Sequence, residues 1–143
     1  MSAIEGFNPM RWQCSDRGCY NVKHRPKIEI FAASLPGKIA MTDIDATTEV
    51  NGHFLFLEFK SGEPRPLPTG QRIYFQRLTL LSDRIWIVIV CGDAETMVIT
   101  HIMKFWRGIS SSWQPSSLQD LMERIERWAS RAKATAFPIR RAA

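Results

Sequence analysis

The sequence predicts an α/β fold, in which a mixed sheet of about four strands is flanked by helices and a further amphipathic helix lies near the C-terminus. Three patterns predict it: an Asn51-Gly52 pair between two apolar runs, a run at 84–91 that is continuously apolar after Arg84, and a helical apolar repeat at 118–132. Asn-Gly is the strongest short-range hairpin signal, because a type I′ turn needs positive φ at both central residues. A continuous β-branched run is typical of a strand that is covered on both faces.

The composition favours one folded domain with an anionic partner. The chain has 143 residues, of which 45% are hydrophobic, and this is enough for a sizeable core. Its 19 Lys and Arg against 14 Asp and Glu give a net charge of +5, which modestly favours a polyanion. No apolar run approaches a membrane span and the N-terminus lacks the anatomy of a signal peptide, so we expect a cytoplasmic protein with no membrane partner.

The pattern divides the chain into three parts. Residues 1–25 show no apolar repeat and mix aromatic with basic types, so we expect an irregular arm. The domain itself should occupy residues 26–136. Residues 137–143 should form a basic tail.

Two interpretations are open for the polar residues of the arm. Cys14, Cys19 and His24 suggest zinc ligands, but no fourth ligand is spaced to join them. The alternative is ordinary thiols, because the three cysteines of the chain do not make a disulfide framework and stay free in a reducing compartment.

The first predicted element is a helix. Pro26 suits its first turn, where no backbone N–H donor is needed, and we expect the helix to cover 27–35 and to end at Pro36-Gly37. Its buried stripe would be Ile28, Phe31, Ala32 and Leu35. Glu29 lies beside this stripe, where it would point either toward the acidic residues of the next element or toward solvent.

The next element is the hairpin, whose register follows from a two-residue loop at Asn51-Gly52. The predicted pairs are Val50 with His53, Thr48 with Leu55, Asp45 with Glu58, and Asp43 with Lys60. Since side chains alternate along a strand, one face carries Asp43, Asp45, Thr47, Glu49, Phe54, Phe56, Glu58 and Lys60. The core face carries Ile44, Ala46, Val50, Leu55, Leu57 and Phe59.

The polar face of this hairpin has a definite chemistry. Directly paired residues have Cβ atoms about 4.5–5.5 Å apart, so the carboxylates of Asp45 and Glu58 would repel unless a cation lay between them. Carboxylate oxygens suit Mg²⁺, and a magnesium ion beside Lys60 would neutralise a phosphodiester under attack. The alternative is an exposed face on which Asp43 and Lys60 form a surface ion pair of small energetic value.

A loop and a second helix follow the hairpin. Glycine and three prolines predict an irregular loop at 61–68. The helix should run from Thr69 to about Ser82. Its inward face would be Tyr74, Phe75, Leu78 and Leu81.

Three polar residues of this helix are candidates for function. Gln71 starts the inward face near the carboxylates, where it would bond a water, a metal ligand or a substrate, or make an N-terminal cap contact. Arg72 and Arg77 point more outward, toward phosphates or solvent.

The rest of the chain supplies two strands and a last helix. We expect a buried strand at 84–91, a turn at 92–96, and a strand near the sheet edge at 97–105 because polar residues interrupt it. Ser116 with Gln119 predicts a capping box for the helix. We expect its apolar stripe to pack in the core, and a dimer interface is the second interpretation. The stripe consists of Leu118, Leu121, Met122, Ile125, Trp128, Ala129 and Ala132.

Together these segments resemble the PD-(D/E)XK nuclease superfamily, and within it the virus-type replication-repair nuclease domain and the Holliday-junction resolvases. The resemblance covers about residues 26–92. The segments that carry it are Thr42-Asp43-Ile44-Asp45, Phe54-Leu55-Phe56-Leu57-Glu58-Phe59-Lys60, and Leu67-Pro68-Thr69-Gly70-Gln71 before an aromatic helix and the strand Ile85 to Val90. It implies a restriction-endonuclease-like sheet.

The resemblance also implies a set of metal ligands. By position these are Asp45 or Asp43, Glu58, and the backbone carbonyl of Phe59, around Mg²⁺ or Mn²⁺. Thr42 stands where the family has Pro, so the choice of the metal-binding aspartate stays open. The hairpin register favours Asp45, and the family's Pro-Asp signature favours Asp43.

Further catalytic residues are implied in the same way. Lys60 would orient or polarise the attacking water. Gln71 would be the glutamine that follows the loop, and Glu29 would be the acidic residue of the first helix.

The implied activity is endonucleolytic hydrolysis of DNA, selective for branched structures such as Holliday junctions, by a homodimer in phage-type replication, recombination or repair. The implied location is the cytoplasm of a bacterium or of a phage-infected host. DNA backbone contacts are expected at Lys23, Arg25, Arg65, Arg72 and Arg77. The alternatives are an inactive DNA-binding or assembly protein with a nuclease-like fold, and a sequence-specific restriction-like nuclease.

Overall fold

The computed structural model describes residues 26–135, which divide between residues 43 and 44 into two compact units. The predicted arm and basic tail lie outside the described residues. So do the zinc candidates Cys14, Cys19 and His24, and the expected DNA contacts Lys23 and Arg25.

The first unit contains a short 3-10 helix at Ile28–Ser34. The helix predicted at 27–35 forms as a 3-10 helix, but its predicted buried stripe is wrong, because no residue of this helix is buried and Phe31 is 47% exposed. Three of the four predicted residues, Ile28, Ala32 and Leu35, are half-buried. With three residues per turn, Ile28 shares one row with Phe31, and Ala32 shares another with Leu35, so the four do not form one narrow stripe.

The second unit is an α/β structure built on a mixed sheet, as the sequence predicts. Its elements are β1 Ala46–Val50, β2 His53–Ser61, α1 Thr69–Leu80, β3 Ile85–Asp93, β4 Val98–Trp106, β5 Ile109–Ser110, β6 Gln114–Pro115 and α2 Leu118–Ala134. The order in the sheet is β1-β2-β3-β4-β5, and β6 also pairs with β4. β2 and β3 are parallel through the α1 crossover, and the other pairs are antiparallel.

The hairpin turn forms as predicted. Asn51 and Gly52 have φ of 48° and 82°, which are the two positive values that a type I′ turn requires. Val50 pairs with His53 and the ladder continues in the predicted register. It ends, however, at Ala46 opposite Leu57, so neither Asp45 with Glu58 nor Asp43 with Lys60 forms a strand pair.

Two apolar layers cover the central strand β3, which confirms its predicted burial on both faces. On the α2 side the buried cluster is Leu55, Val88, Val90, Ile99, Ile102 and Leu121. On the α1 side it is Phe75, Ile87, Ile89 and Phe105. Phe56 packs against this second cluster, so the face of β2 that carries Glu58 and Lys60 is also partly covered by α1.

The inward face of α1 is rotated from the prediction. Phe75 is buried and Leu78 packs in the core, but Tyr74 is 46% and Leu81 is 78% exposed. Thr79 is buried instead. Its hydroxyl donates to the carbonyl of Phe75 at 2.8 Å and accepts from the amide of Gly108 at 3.0 Å, so this polar side chain is satisfied in the core.

α2 closes the other face of the sheet. Its N-cap is Ser117, whose side chain accepts from the amide of Asp120, so the prediction of a Ser116 and Gln119 capping box is wrong. Leu121 and Ala132 of the predicted stripe are buried, whereas Met122 is 61% exposed. Within residues 26–135, no helix is long and apolar enough to span a bilayer.

Candidate functional site

Glu58 and Lys60 lie two residues apart near the carboxyl end of β2, on the face that α1 covers. The period of two places both side chains on this face. The Nζ atom of Lys60 is 3.7 Å from Oε1 of Glu58, and the side chains are 33% and 16% exposed. The pair is therefore partly shielded from water, which strengthens its electrostatic interaction relative to a fully solvated pair.

Gln71 approaches the same carboxylate from the first turn of α1. Its Nε2 atom donates a hydrogen bond of 3.1 Å to Oε1 of Glu58. An ionised carboxylate only accepts, so the amide nitrogen has to face Glu58 and the amide oxygen has to point away. Among the described residues, no donor reaches that buried Gln71 Oε1 atom.

Asp45 reaches the site through the backbone of β2. It lies in a bend just before β1, and its Oδ2 atom accepts a hydrogen bond of 2.6 Å from the amide of Phe59. In a continued antiparallel ladder that amide would donate to a backbone carbonyl of the partner strand. The side chain of Asp45 takes the place of that carbonyl, which explains why the predicted pairing with Glu58 does not form.

This contact places the carboxylate of Asp45 against the backbone of β2, and not opposite Glu58 as predicted. The Phe59 amide lies between Glu58 and Lys60 in the chain, so the carboxylate of Asp45 lies beside the segment that carries both. The N–H and C=O of one strand residue point to the same side. The Phe59 carbonyl therefore points to the side on which β1 has already ended.

Asp43 and Glu29 belong to the first unit, residues 26–43, and both side chains are exposed there. The backbone carbonyl of Asp43 accepts from the hydroxyl of Thr42 at 3.4 Å. Asp45 belongs to the second unit, where its side chain contacts β2.

The strand register adds two residues that sequence reasoning missed. Lys60 pairs with Cys91 of β3, and Cys91 pairs with His101 of β4, so the three side chains form one row on the α1 face. Burial raises the pKa of the Cys91 thiol, nearby Glu63 raises it further, and the positive charge of Lys60 opposes both effects. No signal in the sequence fixes the register of a parallel pair, so this row could not be found without the structure.

The donors at this site suit a hard divalent cation. Mg²⁺ takes oxygen ligands, retains several waters and is usually bound through one or two carboxylates. Glu58 and Asp45 supply two. Within residues 26–135, no group of three His, Cys, Asp or Glu side chains is arranged to hold a metal, so any magnesium site here depends on these two carboxylates, backbone oxygen and water.

The expected DNA contacts that the structure describes are all exposed. Arg65 lies in the loop after β2, and its carbonyl accepts from Nε1 of Trp113 at 2.9 Å, which anchors that loop. Arg72 and Arg77 lie on the outer side of α1, and Nη1 of Arg72 is 3.4 Å from Oε1 of Gln76. Three arginines are therefore available to an anion on the α1 side.

The fold and the site together define an α/β protein with an acidic, basic and amide cluster at the carboxyl end of a parallel strand pair. In open α/β sheets, ligands bind outside this end of the strands. Comparison with protein-family models, curated proteins and solved structures found no match for this chain.

Proposed function

We propose that this protein is a metal-dependent DNA endonuclease with a restriction-endonuclease-like fold. The observation that carries the proposal is the cluster of Glu58, Lys60 and Gln71, with the carboxylate of Asp45 bound to the intervening Phe59 amide. Acidic oxygens, a lysine and an amide at one point of a rigid sheet suit hydrolysis of a phosphodiester. The resemblance to the PD-(D/E)XK superfamily supports the same assignment.

The residues that would hold Mg²⁺ or Mn²⁺ are Asp45 and Glu58, together with the backbone carbonyl of Phe59. When bound, such a cation supplies Lewis-acid activation of water and stabilises the charge that develops on the phosphate. Asp43 and Glu29 remain candidates for further carboxylates.

Lys60 and Gln71 have separate tasks in the proposed reaction. Lys60 places a positive charge next to the carboxylate of Glu58, where it would stabilise the pentacoordinate phosphate of the transition state and orient the attacking water. Gln71 holds one oxygen of Glu58 in place. Its own buried amide oxygen has no donor among the described residues, and a water molecule would supply one.

The proposed substrate is DNA, held by its backbone. Arg65, Arg72 and Arg77 are exposed and would contact phosphates, which position a duplex without specifying its sequence. The expected selection is by DNA structure, such as a four-way junction, and a homodimer would place two sites on one junction. These last two steps rest on family analogy.

The test is a cleavage panel with the full-length protein in Mg²⁺ and in Mn²⁺, on four-way junction, flap, nicked and plain duplex DNA. We expect cleavage of a branched substrate that EDTA stops. Lys60→Ala and Glu58→Gln should abolish cleavage while binding survives. Lys133→Ala and Glu126→Gln, two exposed positions on α2, are matched controls and should cut as the unmodified protein does.

A non-catalytic DNA-binding or assembly protein is the second candidate, and one observation favours it. Lys60 and Gln71 both satisfy Glu58 without a metal. The absence of cleavage of every substrate with both ions, with retained binding of DNA, would establish this alternative and refute the nuclease.

A further inference from the structure

A cavity of about 670 Å³ lies between α2 and the sheet, on the face opposite to Glu58 and Lys60. Trp86, Lys104 and Trp106 line it from β3 and β4, and the second half of α2 forms its other wall. Its volume is in the range of small-molecule sites. The proposed nuclease function makes no use of it.

The cavity is strongly basic. Its charged lining consists of Arg84, Lys104, Arg124, Arg127, Arg131 and a single acidic residue, Asp83. Asp83 is paired outside the lining with Arg107 at 3.3 Å, and Arg124 is paired with Asp120 at 2.9 Å. Within the described residues, Lys104 and Arg131 form no ion pair. The positively charged side chains of Lys104 and Arg131 are therefore available to an anionic ligand.

The cavity is also aromatic, with Trp86, Trp106 and Trp128 in its lining. Trp106 is fixed in orientation, because its indole N–H donates to the carbonyl of Asp83 at 2.8 Å. The guanidinium of Arg107 lies over the same ring, 4.2 Å from its centroid, and is not part of the lining. A ring that is held in this way is a rigid platform on which a planar group can stack.

A third feature is a buried polar atom on the cavity wall. The Nε2 atom of His53 is buried and has no hydrogen-bond partner among the described residues. A buried nitrogen without a partner costs free energy, and a rotation of the imidazole toward a polar ligand in the cavity would supply the missing partner. His53 precedes Phe54 on β2, and its side chain belongs to the α2 face.

We propose that this cavity binds a nucleoside phosphate, with the base stacked on Trp106 and the phosphate held by Lys104 and Arg131. An inorganic anion would use the cations and leave the tryptophans without a role. An uncharged aromatic ligand would leave several cations next to an apolar group, which costs desolvation. A base joined to a phosphate satisfies both halves of the lining.

The ligand has two possible sources, a free nucleotide and a nucleotide within a single strand of DNA. Both present the same base and phosphate. Titration calorimetry with the full-length protein in EDTA, where metal-dependent cleavage cannot occur, would use four probes: deoxyadenosine monophosphate, deoxyadenosine, inorganic phosphate and a single-stranded oligodeoxyadenylate.

We expect deoxyadenosine monophosphate to bind at least roughly tenfold tighter than deoxyadenosine or phosphate, because stacking and charge-assisted hydrogen bonds add. An oligonucleotide that binds tighter and competes with the mononucleotide would assign the ligand as a DNA strand. Binding of the mononucleotide alone would assign it as a free nucleotide.

The variants locate the binding. Trp106→Leu and Arg131→Ala should each weaken the binding of deoxyadenosine monophosphate by about tenfold. Lys133→Ala, an exposed lysine two residues further along α2, is the matched control and should leave the affinity unchanged. Glu58→Gln should also bind normally, which separates this site from the proposed catalytic one.

Thermal unfolding of each variant would show that it is folded. No saturable binding of the monophosphate by the unmodified protein would overturn the proposal. So would equal affinity for inorganic phosphate, or unchanged affinity in folded Trp106→Leu and Arg131→Ala.

Discussion

The amide of Gln71 and the side chain of Lys60 converge on one oxygen of Glu58, at 3.1 Å and 3.7 Å. The contact to Gln71 joins the first turn of α1 to the carboxyl end of β2 across 13 positions of sequence. Because the helix is anchored in the core through Phe75, the orientation of Glu58 is coupled to the packing of α1.

Gln71→Leu should release Glu58 while preserving the apolar contacts of α1. We expect a loss of about 1 kcal/mol in the free energy of unfolding, the usual net value of such a hydrogen bond, and a larger fall in cleavage rate. Urea unfolding and single-turnover cleavage measure the two effects. Gln119→Leu, which removes an exposed glutamine–glutamate hydrogen bond on α2, is the matched control. Equal loss of activity in both variants would show that Gln71 has no special task.

Asp45→Asn tests whether Asp45 binds the metal or only accepts the hydrogen bond from the Phe59 amide. An asparagine oxygen can still accept from the Phe59 amide, so unfolding in EDTA should change by less than about 1 kcal/mol. If Asp45 binds the cation, the Mg²⁺ concentration for half-maximal cleavage should rise at least roughly tenfold, as losses near metal sites usually do. An unchanged magnesium requirement would leave Asp45 only the role of ending the β1 and β2 ladder.

A double variant with Arg72→Ala and Arg77→Ala should bind DNA more weakly than the unmodified protein. Its affinity should also depend less steeply on salt concentration. Each lost phosphate contact should make the negative slope of log K against log salt shallower by about one, because fewer counterions are released on binding. Fluorescence anisotropy with a labelled four-way junction in EDTA measures this slope. An unchanged slope in the double variant, as expected of the Lys133→Ala control, would place the DNA elsewhere.

The hairpin shows how far the sequence determines the site. Asn51-Gly52 sets the register correctly as far as Ala46 opposite Leu57, because the turn type depends only on local backbone preferences. The ladder then ends because the Asp45 side chain competes for the Phe59 amide. Such competition between a side chain and the backbone is common for aspartate, but its occurrence at one position depends on where the chain enters the strand.

The helices show a second limit of pattern reasoning. The apolar spacing of α1 is compatible with a face through either Tyr74 or Phe75, and the sheet selects Phe75 together with Thr79. A threonine is buried there because Gly108 and Phe75 supply its partners. The basic cavity at α2 has no sequence signal at all, since its residues come from separate segments between His53 and Ala132.

Asp120 should make the stability of the protein depend on acidic pH. The hydrogen bond from Ser116, followed by that from Arg124, holds the pKa of Asp120 below its ordinary value. A lowered pKa in the folded state stabilises the protein above the unfolded pKa of about 3.9, and this contribution is lost as the pH falls through the folded value.

The difference in unfolding free energy between the unmodified protein and Asp120→Asn should therefore be constant near neutral pH and shrink below about pH 4. Urea unfolding of both proteins across this range measures it. A difference that stays the same down to the lowest pH would show that the carboxylate charge has no part in stability.

Thr79→Val tests the buried link between α1 and the β4–β5 turn. Valine keeps the size of the side chain but leaves the amide of Gly108 without its acceptor, so we expect a loss of about 1–3 kcal/mol in unfolding free energy. Thr79→Ser keeps the hydroxyl and removes one methyl group, for which about 1 kcal/mol is expected. Chemical denaturation compares them. A valine variant that is more stable than the serine variant would mean that packing, and not the hydrogen bond to Gly108, requires threonine at this position.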